Sequence, residues 1–158
     1  MGQIDIGIAE KNRQAVTGLL SKTLADEYVL YTKTRNYHWN VTGPHFNDLH
    51  KFFESQYDVI DADIDEIAER IRSLGAKTVA TLAEFVKNSR IKESPGDYPS
   101  ADKMVSNLVA DHESLIRTLR SDVATCEENN DAGTADFLTG LMEKHEKTAW
   151  MLRSVLEK

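Results

Sequence analysis

The chain has 158 residues, 41% of them hydrophobic and 28% charged, with a formal net charge of −7. That length suits one domain with a substantial core, and three prolines and eight glycines in all favour helix. The acidic balance matches a nucleic-acid polyanion poorly, no apolar run reaches the ~20 residues of a membrane span, and a lone Cys126 excludes an internal disulfide framework.

Four long helices are predicted. The first runs from about Ala9 to His38, with Val16, Leu20, Leu24 and Tyr31 at helical spacing. Thr42-Gly43-Pro44 breaks it. The second runs from about Asn47 to Leu74, with Phe53, Tyr57, Ile60, Ile64, Ile67 and Ile71 as its apolar stripe and Gly75 as its stop. Thr81-Leu82-Ala83-Glu84 has the form of a capping box, which predicts a short helix near residues 81–89. A third long helix opens at Ser100 as N-cap and carries Met104, Leu108, His112, Leu115 and Leu119. Asn129-Asn130-Asp131 and Gly133 form the next break. The fourth runs from about Thr134 to the end at Lys158, with Phe137, Leu141, Ala149, Leu152 and Leu156 inward. These lengths describe an all-α four-helix bundle with a short extra helix in the crossover between helices two and three.

Five potential metal ligands stand at fixed spacing in and beside the second helix: His38, His50, Glu54, Asp65 and Glu69. Imidazole together with carboxylate suits a borderline, redox-active metal such as iron, and zinc favours the same donors. On one straight helix, a rise of ~1.5 Å per residue separates His50 from Asp65 by roughly 22 Å. The histidine end and the acidic end therefore belong to different half-sites. An antiparallel two-fold partner brings one chain's acids against the other's histidines. The alternative for such a charge run is a solvated acidic face, which suffices for Asp58, Asp61 and Asp63. The Glu-x-x-His pairs of an ordinary di-iron bundle are absent, since none of the five histidines has a Glu three residues before it. There is also no glycine-rich phosphate loop and no Cys-x-x-Cys pair.

The run His38-Trp39-Asn40, Gly43-Pro44, Phe46, Leu49-His50, Asp65-Glu66-Ile67-Ala68-Glu69-Arg70 and Leu74-Gly75 resembles the signature of the Dps family, the mini-ferritins of the ferritin-like superfamily. Leu138-Thr139-Gly140 and Trp150 extend the likeness along the chain. The resemblance implies one ferritin-like domain over residues 1–158 and a hollow homododecamer with ferroxidase sites at its two-fold interfaces. His38, His50 and Glu54 would come from one subunit and Asp65 and Glu69 from its partner, with Glu54 standing where the family often has Asp. Trp39 would sit beside the iron and quench radicals, or else pack at the interface. Glu128, Asp131 and Asp136 would line three-fold pores, or act as ordinary acids at a helix start.

The implied activity is oxidation of Fe(II) to Fe(III) by hydrogen peroxide in preference to O2, followed by storage of ferric mineral and protection against oxidative damage. The alternative is a nucleoid-compacting DNA-binding shell. The first fifteen residues carry only Lys11 and Arg13 as basic groups, so weak or absent DNA binding is expected. The opening MGQIDIGIAEKN lacks the basic region and apolar core of a signal peptide. A cytoplasmic protein with no membrane partner is therefore expected, nucleoid association being the variant.

Overall fold

The computed structural model describes residues 4–157, and among them five helices and no strand. They are α1 (Glu10–Asn40), α2 (Phe46–Ser73), α3 (Leu82–Asn88), α4 (Ala101–Glu128) and α5 (Ala132–Leu156). The pairs α1·α2 and α4·α5 are close antiparallel neighbours, and the segment carrying α3 crosses between them. Apolar positions three and four residues apart turn inward on every long helix. Leu20, Leu24 and Leu30 of α1 meet Phe53, Ile67 and Ile71 of α2, Leu108, Leu115 and Leu119 of α4, and Leu138 and Leu152 of α5 in one buried cluster. Each fully buried side chain of this size contributes roughly 1.5–3 kcal/mol.

Local chemistry sets the helix ends. Gly75 stops α2 at φ 95, with the Gly75 N–H bonded to the Arg72 carbonyl and the Ala76 N–H to the Ile71 carbonyl. This is the paired arrangement that left-handed glycine completes after a helix. The predicted capping box is present in full at Thr81 and Glu84. Ser100 occupies the N-cap of α4, but its side chain accepts no backbone hydrogen bond there.

The break between α4 and α5 differs from expectation. Asn130 adopts the left-handed turn conformation at φ 59, so the turn is complete before Gly133 and α5 begins at Ala132. Gly133 lies inside the helix for a packing reason: a Cβ there would stand 3.2 Å from the Arg70 guanidinium. At the far end α5 stops at Leu156 and Glu157 is extended. Lys158, expected in the helix, lies outside the described residues, as do residues 1–3 of the N-terminal segment.

The crossover is tied to the bundle by packing and by buried polar contacts. Phe85 of α3 stacks on Tyr28 of α1, with ring centroids 4.1 Å apart. Just beyond, Asp26 of α1 is fully buried and accepts from Ser89 Oγ, the Arg90 backbone N–H and Arg90 Nε. No helix of the described residues is long and apolar enough to cross a membrane.

Candidate metal centre

The tight turn after α1 builds the site. Gly43 takes φ 113 and the Phe46 N–H closes onto the Gly43 carbonyl, so α2 folds back directly along α1. This sets His38, in the last turn of α1, beside His50, one turn into α2. Their rings stack with centroids 3.7 Å apart and planes 18° from parallel. His38 Nδ1–H donates to the His50 carbonyl at 2.7 Å, and His50 Nδ1–H donates to the His38 carbonyl at 2.9 Å. A carbonyl oxygen only accepts, so each Nδ1 must carry the hydrogen. The neutral form of each ring then has its lone pair on Nε2. That is how a metal-binding histidine is usually oriented from behind, with the second nitrogen held by a backbone oxygen.

Aromatic groups hold the pair. Tyr57 packs edge-on to His38 at 5.3 Å, and Phe46 stacks against His50 at 5.2 Å. His38 is buried and His50 half-buried. Glu54, one helical turn beyond His50, is exposed, and the Tyr57 hydroxyl donates to it at 3.5 Å. Burial, followed by the Glu54 and Asp58 carboxylates, pushes the Tyr57 phenol above its ordinary range, so it remains a neutral donor. Trp39 is 63% exposed, and the Arg35 guanidinium lies 4.8 Å from its ring and 5.1 Å from that of Tyr57. Arg35 thus links Trp39 to the wall of the site through cation–π contacts. Sequence reading had not singled it out.

Asp65 and Glu69 stand on the same continuous helix, exposed. The rise of α2 puts Asp65 roughly 22 Å from His50. Asp61 and Asp65 border a recess of about 570 Å³ between α2 and the segment leading into α3. Among the described residues, no three His, Cys, Asp or Glu side chains of one chain gather into a metal cage. On one chain the histidine pair and the acidic pair therefore stand apart, toward opposite ends of α2.

A ferritin-like domain model matches residues 17–158. The chain is 51% identical over 158 residues to an uncharacterised low temperature-induced protein of Nostoc, covering 99% of this chain and 88% of that one. It is 40% identical to DNA protection during starvation protein 2 of Bacillus anthracis, covering 92% and 98%. The crystal structure of a Dps protein from Vibrio cholerae, described as a member of a broad superfamily of ferritin-like diiron-carboxylate proteins, superposes with a TM-score of 0.92 at 32% identity, covering 99% of this chain and 98% of that chain.

The chain belongs to the Dps family.

In this Dps chain the three acids expected around a pore differ in surroundings. Glu128 and Asp136 are exposed. Asp131 is buried: Oδ1 accepts from the Thr134 N–H and from Arg70 Nη2, and Oδ2 accepts from Thr134 Oγ1. Of the two readings open at that position, helix cap and pore acid, the geometry is that of the cap.

The Dps bundle also holds a buried polar cluster that sequence reading missed, formed by Glu27 of α1, His112 of α4 and His145 of α5. Their positions carried a signal. Each lies on an apolar stripe, Glu27 between Leu24 and Leu30, His112 between Leu108 and Leu115, and His145 between Leu141 and Ala149. A polar side chain at such a position must find a buried partner.

Proposed function

We propose that this chain is a subunit of a dodecameric mini-ferritin that oxidises Fe(II) to Fe(III) at sites shared by two-fold-related subunits and stores the ferric product as mineral. The observation that carries this reading is the reciprocal bonding of His38 and His50, which leaves two Nε2 lone pairs free at one end of α2 while Asp65 and Glu69 stand at the other. An antiparallel partner supplies the acids that each histidine end lacks. Side chains left exposed on one subunit near these ends, Trp39, Phe46, Leu82 and Val86, support a further apolar contact.

Neutral imidazoles and ionised carboxylates bind Fe(II) as substrate and leave room for an oxidant. Hydrogen peroxide is the preferred one: two Fe(II) give one electron each to a single peroxide, so the one-electron step that releases hydroxyl radical is avoided. Trp39, held by Arg35, is positioned to give up an electron should that step occur. Zinc competes for the same donors. Glu128 and Asp136 draw Fe(II) toward the shell interior, while Asp131 shapes the same region as a helix cap.

Anaerobic loading with Fe(II), followed separately by peroxide and by air, tests the reading. Ferric absorbance is expected to rise faster with peroxide, in a particle of about twelve subunits. No rate above the protein-free control would remove the ferroxidase assignment.

The B. anthracis relative is named for DNA protection, and the corresponding reading is a shell that coats DNA. A net charge of −7 per chain opposes it. So does the N-terminal segment, where Arg13 donates to the Ile8 carbonyl. A gel-shift titration at neutral pH and moderate salt is expected to leave plasmid DNA unshifted, and a clear shift would reverse the ranking.

A further inference from the structure

Glu27, His112 and His145 are 0%, 1% and 3% exposed and form a hydrogen-bonded row. His145 Nε2–H donates to Glu27 Oε1 at 2.7 Å, and the Nδ1 atoms of His145 and His112 lie 2.8 Å apart. Glu27 and His112 sit at opposite nitrogens of the His145 ring, so the three do not surround a common point as metal ligands do. Glu27 Oε2 and His112 Nε2 have no protein partner.

Counting hydrogens limits what this row can hold. Two nitrogens 2.8 Å apart have room for one hydrogen between them, and the Glu27 carboxylate requires another on His145 Nε2. His112 Nε2 accommodates a third. The two rings can then carry one net positive charge and no more. Without that charge the Glu27 carboxylate is buried and uncompensated, which is strongly unfavourable.

We propose that Glu27, His145 and His112 form a one-proton lock: the bundle closes around a single imidazolium charge shared by two histidines, and loosens when that charge is removed or doubled. The surroundings favour the same distribution. Burial opposes the charged form of His145, but the Glu27 carboxylate outweighs it by charge and hydrogen bond. Asp63 of α2 adds in the same direction and Lys144 of α5 opposes, leaving the pKa above 6.5. His112 on α4 is pushed well below 6.5, first by burial and then by the charge on His145. Asp63, expected on a solvated face, is instead buried and ion-paired with Lys144, which fixes the charges facing the row from α2 and α5.

The sign of the pH dependence follows from proton counts. Below pH 6.5 the unfolded chain protonates both histidines while the native row holds one charge, so stability falls with acid. Above 6.5 the native row keeps a proton that the unfolded chain has lost, so stability falls as pH rises through the raised pKa of His145. The contribution of this pair therefore peaks near pH 6.5 and does not depend on the iron reading.

Histidine C2–H exchange followed by mass spectrometry on the assembled protein, between about pH 5 and 9, tests the lock. The His145 midpoint is expected above 6.5 and that of His112 below it, with exposed His45 as the internal reference. Glu27→Gln should lower the His145 midpoint by roughly one unit or more and leave His45 unmoved. Two independent midpoints near 6.5 in the wild-type protein would overturn the proposal, and so would a His145 midpoint indifferent to Glu27→Gln. The wild-type profile decides alone if the variant fails to fold.

Discussion

Mixing two inactive variants is expected to restore iron oxidation. Replacing His38 and His50 together with Ala removes both Nε2 donors, and replacing Asp65 and Glu69 with Asn and Gln removes the acidic end. Each homogeneous shell should assemble and show oxidation close to the protein-free rate. When the two are dissociated, mixed and reassembled, each hybrid two-fold pair combines one intact histidine end with one intact acidic end. Random pairing makes half the pairs hybrid with one working site of two, so about a quarter of the sites return. Recovery near that level establishes that the ligands come from two subunits. A site built within one chain gives no recovery at all, because every chain in the mixture lacks one half. The roughly 22 Å between His50 and Asp65 makes the first outcome the expected one.

Asp26→Ala is expected to be the most damaging single substitution for stability. The carboxylate is fully buried and accepts two hydrogen bonds from Arg90 and one from Ser89, pinning the chain after α3 to α1. Its removal leaves the Arg90 backbone N–H and the Ser89 hydroxyl without this partner. Breaking a buried pair costs about 3–5 kcal/mol; the guanidinium is 33% exposed, which favours the lower end. A loss of about 3 kcal/mol lowers the thermal midpoint by roughly 6–12 °C in a chain of this size. The midpoint of the variant, measured at one protein concentration so that assembly does not intrude, checks this. A change of under about 1 °C would mean the crossover is held elsewhere.

The long helices could be read from the chain because their signals are local. Apolar residues three and four apart, Gly75 after α2, and Thr81 with Glu84 around α3 act within a few residues of themselves. The same locality explains the error at Gly133. Glycine marks a break on average, but here its lack of a Cβ admits Arg70 from a helix 63 residues away, and the turn is made by Asn130.

The candidate ligands were legible for a different reason. His38 and His50 flank a short turn, and the length of α2 alone separates them from Asp65 and Glu69. Sequence spacing therefore determined both which groups could meet within a chain and which could not. The tertiary structure decided how they meet: reciprocal bonds to backbone carbonyls choose the tautomer of each histidine, and no residue spacing encodes that. It also decided which polar residues are buried together. Glu27, His112 and His145 come from three helices spread over more than a hundred residues, and Asp131 is turned inward by Arg70. Helical periodicity shows which face of each helix is inward. Only the packing of helix against helix determines which inward side chains touch, and with them where the buried charge lies.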